Sequence, residues 1–297
     1  MDANAFTLPF QLTKAMHRDV YPATDPSSPS INTSGKIVIV TDASGGIGSN
    51  VGKAWSTAGA KAIILVGRDV AKIETMVKEL KLENAVVYPC NMTVAEDVDS
   101  LFKSVQQKYG RLDAIVNAAG TMGDAKPIGE ANIAAWWQDY EINVKTTFLT
   151  AHYYVKYFEG KGTIVSVVSL AAFLSNPNSS SYSPAKLAQI KISELIGLEY
   201  PELRVFSVHL GIVEAENSRG TVIDMFTPFA KDKALATGGI SLFLSTPKAD
   251  HLTGLFLSVN WDIEEVIKHQ EEILAKGLLK PVALRARLGP NGHPWTT

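Results

Sequence analysis

Tyr182 and Lys186 stand four residues apart in Tyr182-Ser-Pro-Ala-Lys186, a spacing that puts both on one face of a helix. A tyrosine ordinarily releases its proton at about pH 10, so it exchanges one at neutral pH only where nearby positive charge stabilises the phenolate. Lys186 is of the right type to supply that charge. Ser169, at the end of the preceding apolar run, can hold the oxygen that gains or loses the proton. The chemistry is proton exchange at a substrate oxygen. Taken alone, a Tyr/Lys pair at this spacing also suits an ordinary surface contact.

A second constellation is Thr41-Asp-Ala-Ser-Gly-Gly-Ile-Gly48, which follows the apolar run Lys36-Ile-Val-Ile-Val-Thr41 and opens a helical pattern. A dinucleotide diphosphate can meet unpaired backbone N–H groups at such a turn. Its candidate contacts are Thr41, Ser44, Gly46, Ile47 and Gly48, with the glycines allowing close approach. A tight strand-to-helix loop without a ligand fits the same residues. Asp42 runs against the binding reading, because its carboxylate brings negative charge towards a diphosphate. Aspartate does tolerate left-handed backbone angles, so the turn can form around it.

These residues need a scaffold, and the chain alternates strand-like and helix-like segments. Strands are expected at 62–67, 85–89, 112–117, 162–169, 204–209 and 255–259 besides the first run. Helices are expected from about Gly46 and over 70–80, 95–109, 133–158 and 183–200. The rhythm is βαβ, which predicts a doubly wound parallel sheet of the α/β, Rossmann-like class, with its ligand crevice at the carboxyl ends of the strands. Residues 1–34, with Pro9, Pro22, Pro26 and Pro29, read as an irregular arm packed on the body. The single domain then spans 35–262, and 263–297 form a C-terminal helix and tail, the charged amphipathic helix running from Asp262 to Leu279.

Composition narrows the function classes. The 297 residues are 46% hydrophobic and 20% charged, with a net charge of -2, which describes a globular chain with no basic stripe for nucleic acid. No long uncharged apolar run or secretory leader is evident, so no membrane partner and a cytoplasmic location are expected. Cys90 is the one cysteine and the six histidines are scattered, so neither an internal disulfide nor a metal site is expected.

Together these segments resemble the short-chain dehydrogenase/reductase superfamily, whose hallmarks are a TGxxxGxG turn, an NNAG stretch and an Asn-Ser-Tyr-Lys tetrad. The resemblance covers roughly residues 36 to 260 and matches the tetrad at Asn143, Ser169, Tyr182 and Lys186. It implies hydride transfer between a nicotinamide cofactor and a carbonyl or alcohol. In reduction Tyr182 would protonate the forming alkoxide, Lys186 would bind the nicotinamide ribose and lower the tyrosine pKa, and Ser169 would position the carbonyl. Asn143 would hold a water in the proton relay. Asn117-Ala-Ala-Gly120 resembles the NNAG stretch, with Ala118 replacing the second Asn. Asn91 stands where the family carries an acid near adenine, and its amide oxygen can still accept a hydrogen bond. His209-Leu-Gly-Ile-Val-Glu-Ala215 resembles the PGxVxT segment along the nicotinamide, keeping Gly211 and Val213 but replacing proline with Leu210 and threonine with Ala215. These departures fall on cofactor contacts, while the tetrad is intact.

Leu65-Val-Gly-Arg68 has no acid at the strand end to bind both ribose hydroxyls, and Arg68 suits a 2′-phosphate. The resemblance therefore favours NADP(H) over NAD(H), although no basic residue precedes Gly46, and Arg68 also suits a solvated helix start. The stretch from Glu214 to Gly238 lies where the family carries a mobile substrate lid. There Met225, Phe226 and Phe229 line an apolar pocket or form ordinary helix core. One of Trp136 and Trp137 is expected in the core. The substrate expected is an apolar small molecule. The Pro-rich arm and Asn260-Trp-Asp262 resemble fungal members, many of them in secondary metabolism. The resemblance also implies a homodimer or homotetramer through the two long helices. The expected activity is that of an NADPH-dependent reductase. The alternatives are a redox-neutral isomerase or cyclase using Tyr182 and Lys186, and a non-catalytic scaffold protein.

Overall fold

Seven short runs rich in β-branched residues form one parallel sheet: β1 (Ile37–Thr41), β2 (Ala62–Gly67), β3 (Ala85–Pro89), β4 (Ala114–Asn117), β5 (Gly162–Val168), β6 (Leu203–His209) and β7 (Phe256–Ser258). The computed structural model describes residues 2, 4–123, 125–213 and 224–281, the side chains of 224 and 225 excepted. The strand order is β3-β2-β1-β4-β5-β6-β7. Every residue of β1 is buried because helices cover both faces of the sheet. Alternate side chains divide between two cores: Val38, Val40, Leu65 and Val116 pack on one side, Ile37, Ile39, Ile64 and Ile115 on the other.

The flanking helices are α1 (Gly46–Thr57), α2 (Val70–Leu80), α3 (Ala95–Tyr109), α4 (Ile133–Tyr140), α5 (Thr146–Phe158), α6 (Tyr182–Glu199), α7 (Leu235–Leu244), α8 (Ile263–Lys268) and α9 (Gln270–Ala275). The chain leaves β1 for β2 in one direction and reaches β4 on the other side. The crevice therefore opens between β1 and β4, at their carboxyl ends. No helix among the described residues is long and apolar enough to cross a membrane.

Three elements differ from the sequence expectation. The 133–158 segment is not one regular helix, because residues Glu141–Lys145 form a π turn between α4 and α5. A π turn widens the helix locally and is often found at functional sites, and this one contains Asn143. The charged 262–279 segment breaks at His269 into α8 and α9. Helix α7 has no counterpart in the expected elements, and it contains Gly238 and Gly239. In the fold a Cβ at Gly239 would lie 2.3 Å from the Thr24 carbonyl oxygen, so only glycine lets α7 press against the arm.

The arm is bound to the body by specific hydrogen bonds. Trp261 Nε1 donates to the Phe10 carbonyl at 2.8 Å, and the Ile263 N–H donates to Tyr21 Oη at 2.7 Å. The arm covers the carboxyl end of the sheet beside β6 and β7, where Phe6, Phe10 and Trp261 share a small cavity with Leu170 and His209.

Candidate active site

Tyr182 opens α6, and its neighbour one helical turn on, Lys186, is buried beneath it. The Lys186 Nζ lies 5.7 Å from the centre of the Tyr182 ring and donates to the Val167 carbonyl of β5 at 3.1 Å. Ser169 directly follows β5, where its hydroxyl accepts from the Ala171 N–H at 3.2 Å. Ser169 is also close enough to Tyr182 to lower the proton affinity of its hydroxyl. The fold thus brings the three residues of the proposed proton exchange together.

Asn143 is fully buried in the π turn. Its Nδ2 donates to the Thr121 and Asp139 carbonyls, both at 2.8 Å. Gly120, after β4, sits against both groups: a Cβ there would be 3.1 Å from Lys186 Nζ and 3.2 Å from Asn143 Oδ1. The lysine, the asparagine and the end of β4 are therefore in contact range of one another.

Burial governs the proton affinities. It pushes the Tyr182 hydroxyl up to about 12, opposed by Ser169 and assisted by the charge of Asp139. It pulls the Lys186 ammonium down to about 7, with Asp139 opposing. Asp139 is the residue that sequence reasoning missed. Its buried carboxylate accepts from the Ser181 hydroxyl at 2.5 Å and the Gly123 N–H at 2.9 Å. Its signal in the sequence was its place one turn before Asn143, on the same helix face. The expected tryptophan core does not form here: Trp137 is exposed, Trp136 is half-buried, and the buried side chain of α4 is Asp139. Trp136 instead donates from Nε1 to Ser180 at 3.1 Å.

His209, at the end of β6, faces Ser169's neighbour. Its Nδ1 accepts from the Leu170 N–H at 3.3 Å, which places the ring proton on Nε2, and burial lowers its pKa to about 4.

At the glycine-rich turn, α1 begins at Gly46 with no side-chain cap, leaving its first N–H groups to face the crevice. Ser44, Gly46 and Ile47 are half-buried there, and Gly48 is buried. A Cβ at Gly48 would lie 2.3 Å from the Asp42 carbonyl oxygen, so the turn admits no side chain at that position. Asp42 is exposed and takes the left-handed conformation, with φ of 50°.

Thr41 and Asn117 lie beneath this turn. Thr41 Oγ1 donates to Asn117 Oδ1 at 3.0 Å and accepts from the Ala119 N–H at 3.0 Å. Both side chains are buried, so they shape the floor of the crevice from below. The Asn117 Nδ2, buried and without a partner among the described residues, is an orphaned donor in that floor. Ala118 is half-buried beside it. Arg68 is exposed just past β2.

Asn91 differs from expectation. Its Oδ1 already accepts from the Thr93 N–H at 3.1 Å and Thr93 Oγ1 at 2.9 Å, so the amide oxygen expected to be open to an adenine serves a local turn. Gly211, with φ of 81°, and the buried Val213 follow β6 on the crevice side. Ala215 lies outside the described residues, as do the side chain of Met225 and most of the expected lid. Phe229 is buried and Phe226 half-buried, and both pack edge-on against Phe6 of the arm.

The open helix N-terminus, the glycine cradle and the orphaned amide donor fit a dinucleotide, with Asp42 the one ill-suited group. Residues 36–224 match the family model described as short chain dehydrogenase. The chain is similar to the short chain dehydrogenase mpl6 of Monascus purpureus, at 30% identity over 89% of this chain and 93% of that protein. Among solved structures, a short-chain dehydrogenase/reductase from Burkholderia xenovorans superposes with a TM-score of 0.70 at 24% identity, covering 77% of this chain and 96% of the other. A 3-ketoacyl-(acyl-carrier-protein) reductase from Brucella melitensis, solved with NADH, gives 0.69 at 22% identity, covering 77% and 98%.

Proposed function

The chain belongs to the short chain dehydrogenase family of oxidoreductases, which bind a nicotinamide cofactor, and from that premise we propose that it transfers a hydride between NADPH and the carbonyl or alcohol of an apolar small molecule. The observation that carries the reading is the convergence of Tyr182, Lys186, Ser169 and Asn143 at the carboxyl ends of β4 and β5. When bound, the nicotinamide supplies or receives the hydride. Ser169 holds the substrate oxygen beside Tyr182. At neutral pH Tyr182 keeps its proton and is placed to donate it from Oη to an oxygen gaining negative charge. Lys186, charged below about pH 7, stabilises the phenolate left behind. Asn143 spends its Nδ2 on two carbonyls and thereby fixes the π turn against Gly120 and Lys186.

NADPH is favoured because the cofactor end of β2 offers a cation and no available acid. Arg68 is exposed there, and the carboxylate of Asp69 is committed to capping α2 by accepting from the Lys72 N–H at 3.1 Å. Phe6, which shares a small cavity with Leu170 and His209, packs against Phe226 and Phe229, and this apolar cluster supports an apolar substrate. The likeness to fungal members supports a place in secondary metabolism. A homodimer or homotetramer in the cytoplasm belongs to the same proposal. The exposed Phe148 on α5 and Leu195 and Leu198 on α6 are the apolar residues such an assembly would cover.

The experiment is a panel of apolar ketones and alcohols followed by nicotinamide absorbance. The expected result is NADPH consumption that Tyr182→Phe lowers by about 10²- to 10⁴-fold. Turnover of a carbonyl compound without any nicotinamide would replace this reading with a redox-neutral isomerase or cyclase.

A further inference from the structure

We infer that Arg18, in the N-terminal arm, is a positioning residue for the cofactor side of the site: it holds the buried carboxylate of Asp232, which in turn fixes the loop 211–213. The inference rests on the proposed function in one respect, that Gly211 and Val213 of this loop face the nicotinamide.

The Asp232 side chain has no solvent exposure. Its Oδ2 accepts from the Ile212 N–H at 2.6 Å. Its Oδ1 accepts from Asn260 Nδ2 at 2.8 Å and from Arg18 Nη1 at 3.0 Å. The Asp232 N–H returns a bond to the Ile212 carbonyl at 3.1 Å, and Val213 and Asp232 form an isolated parallel bridge. Both backbone groups of Ile212, in the loop leaving β6, are thus held by one residue.

A buried carboxylate needs a compensating charge, and Arg18 is its ion-pair partner among the described residues. A charged acceptor also binds an N–H more strongly than a neutral one, so Arg18 sets the strength of the Ile212 bond. Arg18 is itself braced: Nη2 donates to Asn4 Oδ1 at 2.5 Å, and its carbonyl accepts from the Lys233 N–H at 2.7 Å. One residue earlier, the His17 carbonyl accepts from the same Asn260 Nδ2 at 2.9 Å, and the His17 N–H donates to the Asn260 carbonyl at 2.9 Å. One carboxylate therefore ties together the arm, the residues after β7 and the loop after β6.

The test uses the full chain and reads two quantities in wild type, Arg18→Met, Arg18→Lys and Tyr21→Phe: amide hydrogen exchange of the segment 206–213, and the dissociation constant for NADPH. Arg18→Met keeps the length of the side chain and removes its charge. It is expected to speed exchange at Ile212 and weaken NADPH by at least about ten-fold each, the equivalent of one charge-assisted hydrogen bond. Arg18→Lys, which keeps the charge, is expected to restore part of both. Tyr21→Phe removes the acceptor of the Ile263 N–H elsewhere on the arm. It is expected to lower thermal stability and leave both readouts unchanged. Should Arg18→Met fail to fold, Asn4→Ala, which removes only the brace, is expected to move both readouts in the same direction by less. Exchange in Arg18→Met within two-fold of wild type, or an equal effect of Tyr21→Phe, overturns the inference. If wild type binds neither NADPH nor NADH, the redox reading falls, and the exchange comparison still decides whether Arg18 holds the loop.

Discussion

Replacing Lys186 with methionine removes a buried charge while nearly keeping its volume, and the consequence can be worked out from the surroundings of the lysine. Lys186 is 4% exposed and donates to a single backbone carbonyl. Burial lowers its pKa from the ordinary 10.5 to about 7. Between those two values the unfolded chain carries a proton that the folded chain has released. Stability therefore rises with pH across that window, by about 1.4 kcal/mol per unit, and the contribution is flat on either side. From about pH 7.5 to about pH 9 this one group adds about 2 kcal/mol. In Lys186→Met that contribution disappears, and the other titrating groups are common to both proteins. Urea unfolding of each protein at the two pH values isolates the effect as a difference of differences. Wild type is expected to gain about 2 kcal/mol more than the variant. Equal gains would mean that Lys186 keeps its ordinary proton affinity and is not desolvated beneath Tyr182.

Three further substitutions act at separate places in the fold. Gly120→Ala places a Cβ 3.1 Å from Lys186 Nζ and 3.2 Å from Asn143 Oδ1, so it is expected to raise the NADPH dissociation constant about ten-fold with little loss of thermal stability. An unchanged constant in a fluorescence titration would place Gly120 outside the cofactor site. Asp42→Gly relieves a left-handed residue, worth about 1 kcal/mol, and withdraws a carboxylate from the turn. Both the thermal midpoint and nucleotide affinity should rise, and unchanged affinity would show that Asp42 does not oppose the diphosphate. Gly239→Ala drives a methyl group to 2.3 Å from the Thr24 carbonyl oxygen and is expected to destabilise the protein by about 1–3 kcal/mol. A urea midpoint equal to wild type would contradict the packing of α7 on the arm.

The sheet was legible because a strand covered on both faces must be almost continuously apolar, as Ile37-Val-Ile-Val-Thr41 and Ala62-Ile-Ile-Leu-Val-Gly67 are. The positions of Tyr182, Lys186 and Ser169 followed from local spacing, since two lie on one helix and the third ends a strand. Helix α7 was hidden because its glycines serve tertiary contacts, with Ala54 and Thr24, that local propensity does not register. The π turn at Asn143 was equally hidden, since the apolar periodicity continues through it. Asp139 was marked locally only by its place one turn before Asn143, and nothing within a few residues of Asp232 marks a buried carboxylate. Their partners Ser181, Arg18 and Asn260 come from distant parts of the chain. Asn91 shows the reverse: a residue placed by resemblance at a cofactor contact has its oxygen taken by Thr93, two residues away.

We propose that this crevice holds a nicotinamide dinucleotide, with Arg68 giving NADPH the advantage. The most direct test of that proposal is a titration of the purified chain with NADPH and, separately, with NADH, following cofactor fluorescence and the thermal midpoint, with Arg68→Ala alongside. Saturable binding is expected, tighter for NADPH, with stabilisation of about 2.7 kcal/mol at about 100 times the dissociation constant and the preference lost in Arg68→Ala. Absence of binding by either nucleotide at about 1 mM, the upper end of ordinary enzyme affinities, would contradict it.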